Sequence, residues 1–297
     1  MASPSHARPI AVGYDGSGPS EAALQWAARA ADHQNMGLVV LHAAERITYT
    51  QDAGSGLRKA EDYLIEAKEI AQHGKDAALE TSPDLQVETT GSLFSAKVAL
   101  GEASTHASMV VLGSHGRGRV GTLLLGSTAY AIAGYSRCPV VIIRDGSSEL
   151  PGPERPVVVG VNGTSGSERA VTRAVEVARE WGAPLVLVTT WAPAPPDPWG
   201  KGPVGYHSVD EATADYKATA QKVNAEALER IGAAHEDIRV GGTVIEAHPV
   251  EGLVRAGSEG GLLVLGTRGH GALVGALLGS TSLGVLHQAT SPIMIVD

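Results

Sequence analysis

The stretch VLGSHGRGRVGTLLLGST, from Val111 to Thr128, returns as VLGTRGHGALVGALLGST, from Val264 to Thr281. Both copies carry Gly-x-x-Gly and, after nine intervening residues, Gly-Ser-Thr. Any fold open to this chain must accept the same apolar run, glycine turn and hydroxyl-bearing helix start twice, 153 residues apart. Glycines let backbone N–H groups converge on one concavity with no Cβ in the way, a surface suited to phosphate. A helix N-terminus adds unpaired N–H groups and the positive end of a dipole. One such loop is an ordinary turn. Its exact repetition marks a site.

The rest of the chain repeats around it. Pro9 to Gly16 matches Pro156 to Gly163, and Leu38 to Ala43 matches Leu185 to Thr190, both at an offset of 147. Val87 matches Val240, and Cys138-Pro139-Val140 matches Ser291-Pro292-Ile293, at 153. The second copy thus holds six extra residues, and the proline-rich Pro193 to His207 is their natural place. The chain divides into domains at 1–146 and 156–297, joined by a Gly/Pro/Ser-rich linker at 147–155.

Each copy alternates strands and helices. In the first, strands are expected at Pro9–Tyr14, Leu38–Ala43, Leu85–Thr89, Met109–Leu112 and Val140–Ile143. Helices are expected from Ser17 or Ser20 through Ala31, at Leu57–Leu79, at Ser95–Thr105 and from Gly121 to Tyr135. Such alternation calls for α/β architecture: a parallel five-stranded sheet with right-handed crossovers and helices on both faces. With one Phe in 297 residues, the core must come from Val, Leu, Ile and Ala, the usual filling of such sheets. In a flavodoxin-like (Rossmann-like) order, 3-2-1-4-5, the carboxyl ends of the first and fourth strands meet at one crevice. There the sequence places Tyr14-Asp15-Gly16-Ser17 and the glycine loop.

A net charge of −9 and a pI near 5.7 argue against a nucleic-acid surface. The N-terminal residues lack a signal-peptide apolar region, and no apolar run is long enough to span a membrane. The single cysteine, Cys138, excludes an intrachain disulfide and suits the cytoplasm; entering an apolar run, it reads as a small buried residue.

The Asp15 strand end, the His42-Ala43 end of the second strand, the Gly113 to Thr128 loop and the Cys138-Pro139-Val140 strand resemble the universal stress protein domain. The whole chain resembles the tandem form of that family. The resemblance implies ATP binding, for in the family this glycine spacing separates members that bind ATP from those that do not. Carried over, Gly113 lies against the ribose, and Gly116, Gly126, Ser127 and Thr128 hold phosphates. Asp15 stands near the ribose and a phosphate-bound Mg²⁺. Val12 and Ala43 line the adenine pocket, and Gly13 beside Val12 belongs to the same ATP-binding set. The matching residues of the second half are Val159, Gly160, Thr190, Gly266, Gly269, Gly279, Ser280 and Thr281, with Asn162 in place of Asp15. That replacement removes the carboxylate a metal would need. Arg117, Arg119 and Arg268 either face phosphate or are solvated, while His42, His115 and His270 read as structural or solvent-facing rather than catalytic. The resemblance also implies that the apolar final strands pair between domains, as a pseudo-dimer within the chain, and that a further homodimer forms.

The expected function is therefore a cytoplasmic, ATP-binding stress-response regulator with one cleft per domain and a downstream protein partner. An ATP-consuming enzyme is a second reading. No Walker lysine follows the glycines and no catalytic set emerges, which leaves slow hydrolysis at most. A nucleotide-free interaction module is the third, and both intact glycine spacings argue against it.

Overall fold

The computed structural model describes residues 8–44, 60–116, 125–144, 147, 149–195, 203–267 and 278–297. The chain forms two compact units, Met1–Glu149 and Leu150–Asp297.

The first unit runs β1 (Ile10–Gly13), α1 (Gly18–His33), β2 (Leu38–Ala43), α2 (Ala60–Thr81), β3 (Val87–Ser92), α3 (Ala96–Ala103), β4 (Met109–Gly113), α4 (Ser127–Tyr135) and β5 (Val140–Ile143). All described strand pairs are parallel, in the order β3-β2-β1-β4-β5. The second unit runs β6 (Val157–Gly160), α5 (Ser165–Glu180), β7 (Leu185–Trp191), α6 (Val209–Ala234), β8 (Val240–Glu246), α7 (Pro249–Ser258), β9 (Leu262–Gly266), α8 (Ser280–Gln288) and β10 (Ile293–Val296). Its order, β8-β7-β6-β9-β10, is that of the first unit.

In the first unit α1 and α2 pack together on one face and α3 and α4 on the other. The central strands are apolar without alternation because both faces are covered, and Ile10, Val12, Val110 and Val111 have no exposed surface. Alanine lets α1 lie close: Ala23, Ala27, Ala28, Ala30 and Ala31 are all fully buried. The Trp26 Nε1–H donates to the Glu149 carbonyl at 3.0 Å, tying the end of the unit to that helix.

Two element boundaries differ from expectation for identifiable reasons. β3 runs on through Thr90, Gly91 and Ser92, polar residues that the hydrophobic pattern left out. Their backbone continues the ladder, His42 opposite Gly91 and Ala43 opposite Ser92, and an edge strand needs only one apolar face. α4 starts at Ser127, not near Gly121: the Gly126 N–H is already used, donating to the Ser114 carbonyl at 2.7 Å. The insertion at Pro193 to His207 lies only partly within the described residues.

Candidate functional site

β1 and β4 are neighbours, Val12 opposite Val111, so their carboxyl ends open side by side. Two turns meet there.

The first follows β1. Gly16 has φ +73°, a conformation that favours glycine, and it swings the chain back so that Ser17 caps α1. Asp15 Oδ1 accepts from the Ser17 N–H at 3.0 Å and from Ser17 Oγ at 2.5 Å. Ser20, buried in the first turn of α1, donates its hydroxyl to the Ser17 carbonyl at 2.9 Å and accepts from the Asp15 N–H at 3.3 Å. On the other side, His42 Nδ1 lies 2.7 Å from the Tyr14 carbonyl. A carbonyl only accepts, so Nδ1 carries the proton. The peptide between Tyr14 and Asp15 is thus held at both ends by side chains.

The second turn follows β4. The Ser114 N–H donates to the Ile143 carbonyl at 2.8 Å, and the Gly126 N–H donates to Ser114, so the loop closes at its neck. Gly116 lies within that loop against the first turn: a Cβ placed on it would stand 2.6 Å from Asp15 Oδ2. A Cβ on Gly126 would stand 3.2 Å from the His115 Cα. Ser127 is exposed and Thr128 half-buried at the start of α4. The cap residue Gly126 offers that helix no side-chain hydrogen bond. The N-termini of α1, α3, α5 and α6, by contrast, are closed by Ser17, Ser95, Thr164 and Ser208.

The second unit repeats the arrangement. Gly163 also has φ +73°. Asn162 Oδ1 accepts from the Thr164 N–H at 3.1 Å and from Thr164 Oγ1 at 2.7 Å. Ser167 Oγ donates to the Thr164 carbonyl at 2.9 Å and accepts from the Asn162 N–H at 3.5 Å. The Gly279 N–H donates to the Thr267 carbonyl at 2.6 Å, and α8 likewise begins without a side-chain cap. Among the described residues, no group of three or more His, Cys, Asp and Glu side chains is placed to hold a metal ion.

The structure places Gly13, Asp15, Gly113 and Gly116 at the carboxyl ends of β1 and β4, with Gly126, Ser127 and Thr128 at the start of α4; Gly160, Asn162, Gly266, Gly279, Ser280 and Thr281 hold the corresponding places in the second unit. Val12 and Val159 are fully buried and support these ends from beneath. Ala43 is half-buried at the end of β2. Thr190 packs on α7, where a Cβ on Gly252 would stand 2.6 Å from its Cγ2. Arg117, Arg119, Arg268, Gly269 and His270 lie outside the described residues. Gly113 and Gly266 have a packing reason of their own: a Cβ on them would stand 2.6 Å from the Pro19 backbone and 2.5 Å from the Gly166 carbonyl oxygen. Ser167, which holds the second turn, was not among the sequence candidates; the recurrence of Gly16 and Ser20 as Gly163 and Ser167, at the 147-residue offset, was the available signal.

The model of the universal stress protein family matches residues 6–144 and again 154–297. The chain belongs to the universal stress protein family. A universal stress protein of Mycolicibacterium smegmatis is 30% identical over 294 residues, covering 97% of this chain and 96% of its own length. One of Mycobacterium tuberculosis is 31% identical over 312 residues, covering 99% of each. The crystal structure of a universal stress protein from Archaeoglobus fulgidus covers 99% of this chain and 98% of its own, with a TM-score of 0.66 at 20% identity, a likeness of fold. The family domain thus occurs twice in this chain, and none of its described helices is long and apolar enough to cross a membrane.

Proposed function

We propose that this universal stress protein is a cytoplasmic ATP-binding regulator of the stress response, with one nucleotide cleft in each unit. The observation that carries the reading is the pair of helices α4 and α8. Each starts without a side-chain cap, immediately after the neck of a glycine loop and beside the turn at Asp15 or Asn162. An uncapped first turn leaves several N–H donors and the positive dipole end facing outward, which favours phosphate oxygens. α7 also lacks a side-chain cap, but Pro249 occupies its first turn and removes a donor, and no glycine loop precedes it.

In this reading the backbone at Gly116 and Gly126 lies against the phosphates, and the hydroxyls of Ser127 and Thr128 add donors; Gly279, Ser280 and Thr281 do the same in the second unit. The Asp15 carboxylate beside Gly116 fits a cation held between it and the phosphates. Mg²⁺, when bound, supplies the positive charge that allows a carboxylate to stand next to a triphosphate; it needs few protein ligands because it keeps waters and phosphate oxygens.

Denaturing the purified protein and resolving the released nucleotides by chromatography tests the proposal, with ATP titration of any protein that comes out empty. ATP is expected from the parent. Gly126→Val, whose branched side chain would crowd His115 and the Ser114 carbonyl at the neck of the loop, is expected to lose about half of it with an unchanged circular dichroism spectrum. A parent that releases no nucleotide and takes up none on titration overturns the reading.

A further inference from the structure

The two clefts share a device at their floors that is built from different residues. In both units the peptide leading into residue 15 or 162 is held at its N–H by a buried serine of the following helix, Ser20 or Ser167. Its carbonyl is held from the neighbouring strand. In the first unit His42 Nδ1 reaches the Tyr14 carbonyl at 2.7 Å. In the second, Thr189 Oγ1 donates to the Val161 carbonyl at 3.1 Å. The threonine is itself oriented. Asn224, buried on α6, directs its Nδ2 at Thr189 Oγ1 (3.2 Å), at the Leu187 carbonyl (3.0 Å) and at the Thr243 carbonyl on β8 (3.3 Å). Two of these partners are carbonyls, so the amide orientation is fixed, and the Thr189 proton is left for Val161. The result is a directional chain, Asn224 to Thr189 to Val161, in a buried setting where an unpaired member is costly.

The two units reach this carbonyl with different residues. Asn224 corresponds to Ala71, Thr189 to His42 and Val161 to Tyr14. Where the floor carries Tyr14, α2 carries Gly74, and a Cβ there would stand 2.7 Å from the tyrosine ring. Where it carries Val161, the matching helix residue is Ala227, 4% exposed. Gly242 makes room for the asparagine, since a Cβ there would fall within reach of Asn224 Oδ1. Size, polarity and room all differ between the two units, yet the same carbonyl ends with one side-chain donor.

We propose that Thr189, oriented by Asn224, and His42 are positioning residues of the two clefts. They fix the peptide plane that aims Asn162 and Asp15, and with it the turn facing the glycine loop. The inference rests on the nucleotide reading given above. Thr189→Val tests it in the full chain, since valine keeps the shape and removes only the hydroxyl; Thr189→Ser is the conservative rescue. Two measurements are made: a two-site calorimetric titration with Mg-ATP, and amide hydrogen exchange across residues 162–167 without nucleotide. For Thr189→Val, affinity of the second cleft is expected to fall about tenfold while the first is unchanged, and exchange across the turn to quicken. Thr189→Ser is expected to stay within about twofold of the parent on both counts. Unchanged exchange and unchanged affinity in Thr189→Val overturn the proposal, as does a Thr189→Ser protein as impaired as the valine one. A parent that binds no ATP removes the nucleotide reading, and the exchange measurement then decides alone whether Thr189 positions the turn.

Discussion

Gly113 invites a decisive substitution, because two explanations of the same glycine make opposite forecasts. If it is glycine only so that a ribose can approach, Gly113→Ala weakens nucleotide binding and leaves the empty protein as stable as before. The structure forecasts otherwise. An added Cβ stands 2.6 Å from both the carbonyl carbon and the oxygen of Pro19 and 2.8 Å from the Pro19 Cβ. The first two are backbone atoms in the first turn of α1 and cannot swing aside as a side chain can. Restoring ordinary contact means moving that turn by about 0.8 Å, against Ser20, Ala23 and Leu24, which are buried at 5%, 0% and 0% exposure. Overpacking of this kind costs about 1–3 kcal/mol, and a rigid backbone neighbour puts it in the upper part of that range. For a unit of this size the melting temperature then falls by about 5–10 °C. Scanning calorimetry of nucleotide-free protein reads this directly, with Gly126→Ala as the comparison. There the nearest atoms stand at 3.2 and 3.3 Å, so a shift of a few tenths of an ångström suffices and the melt should move far less. A Gly113→Ala protein that melts with the parent refutes the packing argument.

Two further outcomes are expected. In calorimetric titrations with and without EDTA, the proposed first site should prefer Mg-ATP and the second should depend less on Mg²⁺, and Asn162→Asp should raise that dependence in the second; two indistinguishable sites in both conditions, unaltered by the substitution, count against the assignment. Cys138 is half-buried, where the sequence pattern suggests a buried residue, and that burial pushes its thiol above the ordinary pKa, so labelling by iodoacetamide at pH 8 should be slower in the folded protein than after unfolding.

The repeat, the α/β class and the two-domain division were legible because they rest on long-range self-similarity and apolar runs, which survive single-residue noise. Element ends were less so. β3 extends through Thr90 to Ser92 because ladder hydrogen bonds, not side-chain hydrophobicity, carry it there. α4 starts late because its expected first turn competes with the Gly126 to Ser114 bond that closes the loop, an interaction between residues 12 apart that no helical period encodes. At the site, glycines and hydroxyls were legible as a recurring spacing. What was not legible is which partner each glycine accommodates. Gly113 faces Pro19, 94 positions away in sequence, and Gly242 faces Asn224 on another element. The floor clamp was hidden for a similar reason: His42 and Thr189 have no chemistry in common except a proton to donate.

The two first turns separate what a side chain does for the fold from what it can do for a ligand. Asn162 holds its turn through Oδ1 with the same pair of partners, a main-chain N–H and a hydroxyl, that Asp15 uses in the first unit. The turn therefore does not need a carboxylate. An amide oxygen serves, and it brings no charge toward the glycine loop. Asp15 nevertheless presents its second oxygen to the place where a Cβ on Gly116 would stand, beside the candidate phosphate loop. Two unit charges about 4 Å apart repel by about 4 kcal/mol at an effective dielectric near 20, before solvent screening. On the nucleotide reading proposed above, a carboxylate set there opposes the anion unless a cation accompanies it. The neutral amide at the same point of the second cleft imposes no such condition. The two turns share one hydrogen-bonding plan, and the charge at residue 15 against the neutral amide at residue 162 is a difference between the units that the plan itself does not require.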